Sequence, residues 1–201
     1  MKIVLIISVL LLASLLLFQL YLLLASYNSE TQNYRVVFKG KLFEIRHYPA
    51  VVMATINSTA KTYQELGSSG FGKLAKYIFG GNESKLHIAM TSPVHMDIND
   101  YNSSMSFVMP SKYLQENLPK PINAEVMLET TTDEYVAAVA FGGFATEEDV
   151  KINTRKLERA LKVASIAHYG SFRMLGYNPP FQLLGRKNEI IVNVEWDQKE
   201  R

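Results

Sequence analysis

The chain has 201 residues, 48% of them apolar, with 21 basic and 19 acidic side chains, a net charge of +2 and no cysteine. That length suits one domain plus an appendage, and the apolar share excludes a disordered chain. The charge balance leaves no footprint for nucleic acid, and without Cys there is no disulfide, thiolate nucleophile, Fe–S cluster or covalently attached haem.

Residues 3–25 carry no charge, and only Ser8, Ser14, Gln19 and Tyr21 interrupt the Leu, Ile, Val, Phe and Ala of this run. At about 1.5 Å per residue, such a helix crosses the roughly 30 Å hydrocarbon layer. A secretory signal has an apolar core of about 7–15 residues followed by small residues. Here the core is longer, and Leu23-Leu24-Ala25 is a poor cleavage site. Residues 1–25 therefore read as a membrane anchor in preference to a cleaved signal. Lys2 is the only basic side chain on the leading flank, and no base follows until Arg35. Positive-inside orientation then puts the rest of the chain on the non-cytoplasmic side. A cleaved signal would send it there as well.

Residues 26–33 are polar and read as a linker, leaving 34–201 as the folded domain. Strand-like alternation occurs at 41–48 and 51–57. A helix is expected within 59–79, weakened at Ser68-Ser69-Gly70 and ended by Gly80-Gly81-Asn82. Strands are expected at 86–91, 94–98 and 105–109. After the extended Leu118-Pro119-Lys120-Pro121 connector the order repeats, with strands at 125–129 and 135–141. Thr146 followed by Glu147, Glu148 and Asp149 is a helix start. Strands at 165–169 and 190–194 follow that helix. Each half reads strand, strand, helix, strand, strand, which implies a pseudo-symmetric α+β domain with two helices against a curved antiparallel sheet.

Chemistry-bearing motifs are sparse. There is no GxSxG, HExxH, HxH or phosphate-binding loop, so no enzyme activity and no metal site are expected. His47, His87, His95 and His168 are isolated, although His87 and His95 would approach if their strands were adjacent. Phe71, Leu74, Tyr77 and Ile78, with Lys73 and Lys76 among them, give an apolar helix face with a basic rim. That pattern suits a flat anionic ligand, and it equally suits a helix that turns its apolar face to the core.

Longer motifs carry a resemblance. Lys85-Leu86-His87-Ile88-Ala89-Met90-Thr91-Ser92-Pro93-Val94 resembles the K-x-x-I-x-M-T-x-P-V signature of the SOUL haem-binding protein family. Gly176-Tyr177-Asn178-Pro179-Pro180 and Arg186-Lys187-Asn188-Glu189-Ile190 resemble its C-terminal signature, and Phe43-Glu44-Ile45-Arg46-His47-Tyr48 its opening. The order holds from about 34 to 196, and the apolar N-terminus lies outside it. The resemblance implies a distorted eight-stranded antiparallel β-barrel with two flanking helices, built from two βαββ-like halves. It also implies reversible binding of haem or another porphyrin along the first helix of the domain, by Phe71, Leu74, Lys76, Tyr77 and Ile78. His47 lies in the region where an axial ligand is proposed for one branch. Ser68 and Gln182 stand where haem-binding relatives carry bases, so the basic rim is depleted. The rival reading is a small-molecule or protein-interaction module that keeps the fold without physiological haem.

Overall fold

The computed structural model describes residues 2–99 and 102–197. The chain opens with α1 (Lys2–Asn28), then β1 (Glu30–Thr31), β2 (Arg35–Lys39), β3 (Glu44–Tyr48), β4 (Val52–Ser58) and α2 (Tyr63–Ile78). The middle holds β5 (Thr91–Ser92), β6 (Val94–Ile98), β7 (Ser103–Val108), a 3-10 turn at Gln115–Asn117, and β8 (Met127–Thr130). β9 (Glu134–Gly142), α3 (Glu147–Val163), β10 (His168–Gly176) and β11 (Lys187–Val194) follow.

Among the described residues this is an α+β fold with three α-helices and one large antiparallel sheet. Nine strands pair in the order β2-β3-β9-β11-β10-β6-β7-β4-β8. The expected barrel had eight strands. The ladder here ends at β2 and β8, and ring closure is not part of the hydrogen bonding among the described residues. Strand faces follow from alternation. On β9, Ala137 and Val139 join the main core, while Val136 and Ala138 join a second cluster with Tyr48, Leu175 and Ile191. Helix α2 packs over β4, β7 and β6, and α3 over β9, β11 and β10.

Several local expectations change for identifiable reasons. Helix α2 runs through the Ser-Ser-Gly stretch because Gly70 is buried against the sheet, where a Cβ would stand 2.7 Å from Ile56 Cδ1, while the Ser68 and Ser69 hydroxyls are satisfied by the Gln64 and Glu65 carbonyls, both at 2.8 Å. Its N-cap is Thr62, whose hydroxyl accepts from the Glu65 amide. The strand expected at 86–91 shrinks to Thr91–Ser92, because the Asn82 side chain holds the preceding residues in a loop. Its amide donates to the Tyr77 and Leu86 carbonyls, and its oxygen accepts from the Leu86 N–H. The strand expected at 165–169 starts later, since Ser165 ends α3 with a φ of 56°.

Residues 26–33 do not form a free linker. Ser26–Asn28 extend α1, and β1 pairs in parallel with β5. The Gln32 side chain, which is buried, meets His95 Nε2 at 2.7 Å. The polarity that marked this stretch as a linker is consumed by partners on the domain.

Candidate functional site

An open groove of about 800 Å³ lies where the first turns of α2 and α3 meet above the central strands. Three methionines form its floor. Met174 on β10 is the register partner of Met96 on β6, and Met96 is the partner of Met105 on β7. Directly opposed residues share a sheet face, so the three thioethers make one row across the sheet. Tyr63, Gln64, Gly67, Ser68 and Phe71 give the α2 wall. Gly67 brings that wall close, since a Cβ there would stand 3.9 Å from Met96 Cε. Phe144 to Glu148 give the α3 wall, and Gly176, Asn178, Pro180, Arg186 and Asn188 the third side.

The two helix starts are tied together. Glu147 Oε1 accepts from the backbone N–H of Tyr63 and of Gln64, so an acid in the first turn of α3 satisfies donors at the start of α2. Thr146 and Asp149 close a reciprocal capping box on α3. Burial, with the negative charge of Asp97 and Glu147 nearby, pushes the Tyr63 phenol above its ordinary range. Arg186 Nη1 donates to the Pro179 and Gln182 carbonyls at 2.7 and 2.9 Å, and its guanidinium lies 4.5 Å from the Phe144 ring centroid. Its Nε is buried without a hydrogen-bond partner.

The residues named from the sequence separate. Phe71 lines the groove and packs edge-on against Phe107 at 5.2 Å. Leu74, Tyr77 and Ile78 are buried in the main core, and the Tyr77 hydroxyl donates to the Pro119 carbonyl. Lys76 is exposed and lines no part of the groove. The helical spacing was read correctly, but the stripe it defines packs on the sheet. The open surface lies one to two turns earlier, where Gly67 and Ser68 leave room. His47 is also outside the groove. Its Nε2 sits 3.1 Å from Asp133 Oδ2 and its ring 4.9 Å from that of Tyr135. His87 is exposed and His95 buried, so they make no pair, and no metal-ligating group of three His, Cys, Asp or Glu occurs among the described residues. The methionine row was missed: Met96, Met105 and Met174 carry no local signal, and register alone aligns them.

Two further features flank this site. A cavity of about 810 Å³ lies between α3 and the β2–β3 hairpin. Phe38, Phe43, Ile152 and Val163 line it, together with Lys41, Arg155, Lys156 and Arg159 and no acid. On the sheet face opposite the helices, Arg46 makes a two-point ion pair with Glu189, at 2.7 and 3.1 Å. The Tyr177 hydroxyl donates to the same carboxylate at 2.7 Å. Burial alone would raise Glu189, but the hydrogen bonds and charge of Arg46, with help from Tyr177 and Lys187, hold it below the ordinary carboxylate range.

A family model for SOUL heme-binding proteins matches residues 29–193, and so takes in every element of the sheet and the groove. The chain belongs to the SOUL heme-binding protein family. It is 29% identical over 160 residues to heme-binding protein 1 of Xenopus laevis, covering 75% of this chain and 83% of that one. It is 28% identical over 162 residues to human heme-binding protein 2, covering 74% and 76%. The C-terminal domain of EcmrR has the same fold at a TM-score of 0.59 and 8% identity, over 82% of this chain and 99% of that domain. Membership makes haem the ligand that the SOUL motifs point to, and Asn178, Pro180, Arg186 and Asn188 line one groove. They are the C-terminal signature.

Proposed function

We propose that this SOUL domain binds haem or a related porphyrin reversibly in the groove between α2 and α3, as a binding protein without catalytic activity. The observation that carries this reading is the methionine floor beside an arginine whose Nε lacks a partner. An apolar disc needs apolar surface beneath it and a cation for its carboxylates, and polarizable, flexible thioethers adapt to flat rings. The residues present fit such a group, with Met96, Met174, Val94 and Phe71 against the ring and Arg186 toward a carboxylate. Bound haem supplies a redox-active iron and a strong Soret absorption. Among the groove-lining residues no imidazole is present. The thioethers on the floor are its uncharged donors toward iron.

The strand order supports a pseudo-two-fold repeat centred on this groove. Exchanging β3, β4, α2, β6 and β7 for β8, β9, α3, β10 and β11 reverses the eight central strands onto themselves. The groove floor then lies where β6 meets β10, the junction of the halves. We also read α1 as an uncleaved anchor, with the domain on the non-cytoplasmic side. The helix is long and apolar enough to span a bilayer, and it is hydrogen-bonded to the domain through Gln19 and Ser26. A C-terminal reporter active only outside the cytoplasm should be active. A cytoplasmic reporter active in its place would reverse the topology.

A second location for the ligand follows from charge. The cavity beside α3 has four cations and no acid, whereas the methionine groove has Glu147 and Glu148 against one Arg186. Titration of the full-length protein in detergent with hemin separates the two. Met96→Glu should abolish the saturable Soret shift, and Arg155→Glu with Arg159→Glu should leave it. The reverse pattern would move the site to α3. No shift in the unmutated protein would favour an interaction module without physiological haem.

A further inference from the structure

We infer that the loop 181–184 inserts into the lipid bilayer beside α1 and seats the domain on the membrane, with one mouth of the groove at the lipid surface. This rests on reading α1 as a membrane span.

The loop is built for lipid. From Tyr177 to Gly185 there is no charged residue. Phe181, Leu183 and Leu184 are 70%, 51% and 65% exposed. Contiguous apolar exposure of this kind marks an interaction surface. Backbone groups beneath each of these side chains are nevertheless paired within the protein. Gln19 Nε2 donates to the Phe181 carbonyl at 3.1 Å, and the Leu183 N–H donates to Gln19 Oε1 at 2.8 Å. Gln182 Nε2 donates to the Leu184 carbonyl, and Gln182 Oε1 accepts from the Ser26 hydroxyl at 2.7 Å. Water would satisfy those groups on a solvated loop, but in hydrocarbon they require partners within the protein. Gln19, the only amide within the apolar run of α1, supplies two of them and is itself buried there. Gln182 itself carries no charge. A neutral side chain, 1% exposed, suits a contact with the anchor.

Depth agrees. With Lys2 at the cytoplasmic surface, about 20 residues fill the roughly 30 Å hydrocarbon layer, which then ends near Leu22. Gln19 lies about 4–5 Å inside that boundary by helical rise. Its partners Phe181 and Leu183 are therefore at the outer edge of the hydrocarbon, the depth at which interfacial apolar groups settle. A smaller cavity of about 340 Å³ lies between this contact and the groove. Ala25 and Ser26 line it, as do Met90 and Pro179, and it shares Phe71, Val94 and Pro180 with the methionine groove. An apolar ligand dissolved in the outer leaflet thus meets the groove at the base of α1.

The chain has no native Cys, so single cysteines label cleanly. The full chain, reconstituted in phosphatidylcholine vesicles, would carry an environment-sensitive fluorophore at Leu183→Cys or Leu184→Cys. Leu10→Cys marks the span, and Val163→Cys, 88% exposed at the other end of α3, serves as control. Nitroxides on the lipid acyl chains should quench positions 10, 183 and 184 by several-fold more than 163. Quenching at 10 without quenching at 183 or 184 would overturn the inference and leave the anchor standing. No quenching at any position would remove the anchor reading and the inference together. Equal quenching at 163 would show nonspecific adsorption and overturn the inference alone.

Discussion

Arg46 and Glu189 are 143 residues apart in sequence and form one buried pair. Breaking such a pair leaves an uncompensated charge, whereas replacing both partners with apolar groups is often nearly neutral. Glu44 still faces Arg46 at 2.9 Å, so Glu189→Leu should destabilise the domain by about 3 kcal/mol, the low end for a broken buried pair, and adding Arg46→Met should recover part of that loss, as measured by denaturant unfolding. His95 gives the pH dependence. Burial, with the charge of Arg173 nearby, lowers its pKa to about 3 from an ordinary 6.5. The unfolded chain binds a proton between these values and the native chain does not, so stability rises with pH across that window. It is fully present above about 6.5, and acidification should remove about 1.4 kcal/mol per pH unit toward 3. Thermal unfolding from pH 7 to 4 checks this, and His95→Gln should flatten the profile. Asp97, Glu129, Glu134 and Arg173 line the same small cavity as His95, so a residual slope from them is expected in the variant. None of these partnerships was legible in the sequence, because each crosses between strands whose pairing no local pattern encodes.

Helix α2 shows how far an element can be read alone. Its spacing gave the right stripe, and its end at Gly80-Gly81-Asn82 was correct. A Cβ on Gly81 would stand 2.5 Å from the Lys76 carbonyl oxygen, so the backbone needs glycine there. Asn82 is fully buried and makes three hydrogen bonds to backbone. Asn82→Ala should cost about 1–3 kcal/mol in chemical denaturation by leaving buried groups unpaired. Leu74, Tyr77 and Ile78 of that stripe face the core, which spacing alone does not reveal, because amphipathic spacing marks the face that leaves water, whether toward a sheet or toward a ligand. Lys76→Glu should consequently leave hemin affinity within about twofold in a Soret titration, since Lys76 is exposed outside the groove. Removing all four histidines in turn should leave the shift as well, His47 included.

Across the whole molecule the decisive feature is an exchange of strands. β3 precedes β4 but pairs with β9, and β8 precedes β9 but pairs with β4. Each half thereby lends its first strand to the other, joining the two helices in one core. Helix α1 is likewise joined to the domain by distant contacts, through Gln19 and Ser26. Gln19→Leu should leave α1 helical while amide exchange at Leu183 quickens several-fold, because that N–H loses its acceptor. Mass spectrometry of the reconstituted chain would check it, and unchanged exchange would mean that the α1 contact is not maintained in lipid. The sequence by itself determined the α+β class with its antiparallel sheet, the apolar N-terminal run and, through its linked motifs, the family. These depend on composition, period and spacing, which are local. Only the tertiary structure decided that Met96, Met105 and Met174 share a row, that Leu74, Tyr77 and Ile78 serve the core, and that residues 26–33 join the fold. Those outcomes depend on strand register and on which face another element covers, and both are settled by contacts between residues far apart in the chain.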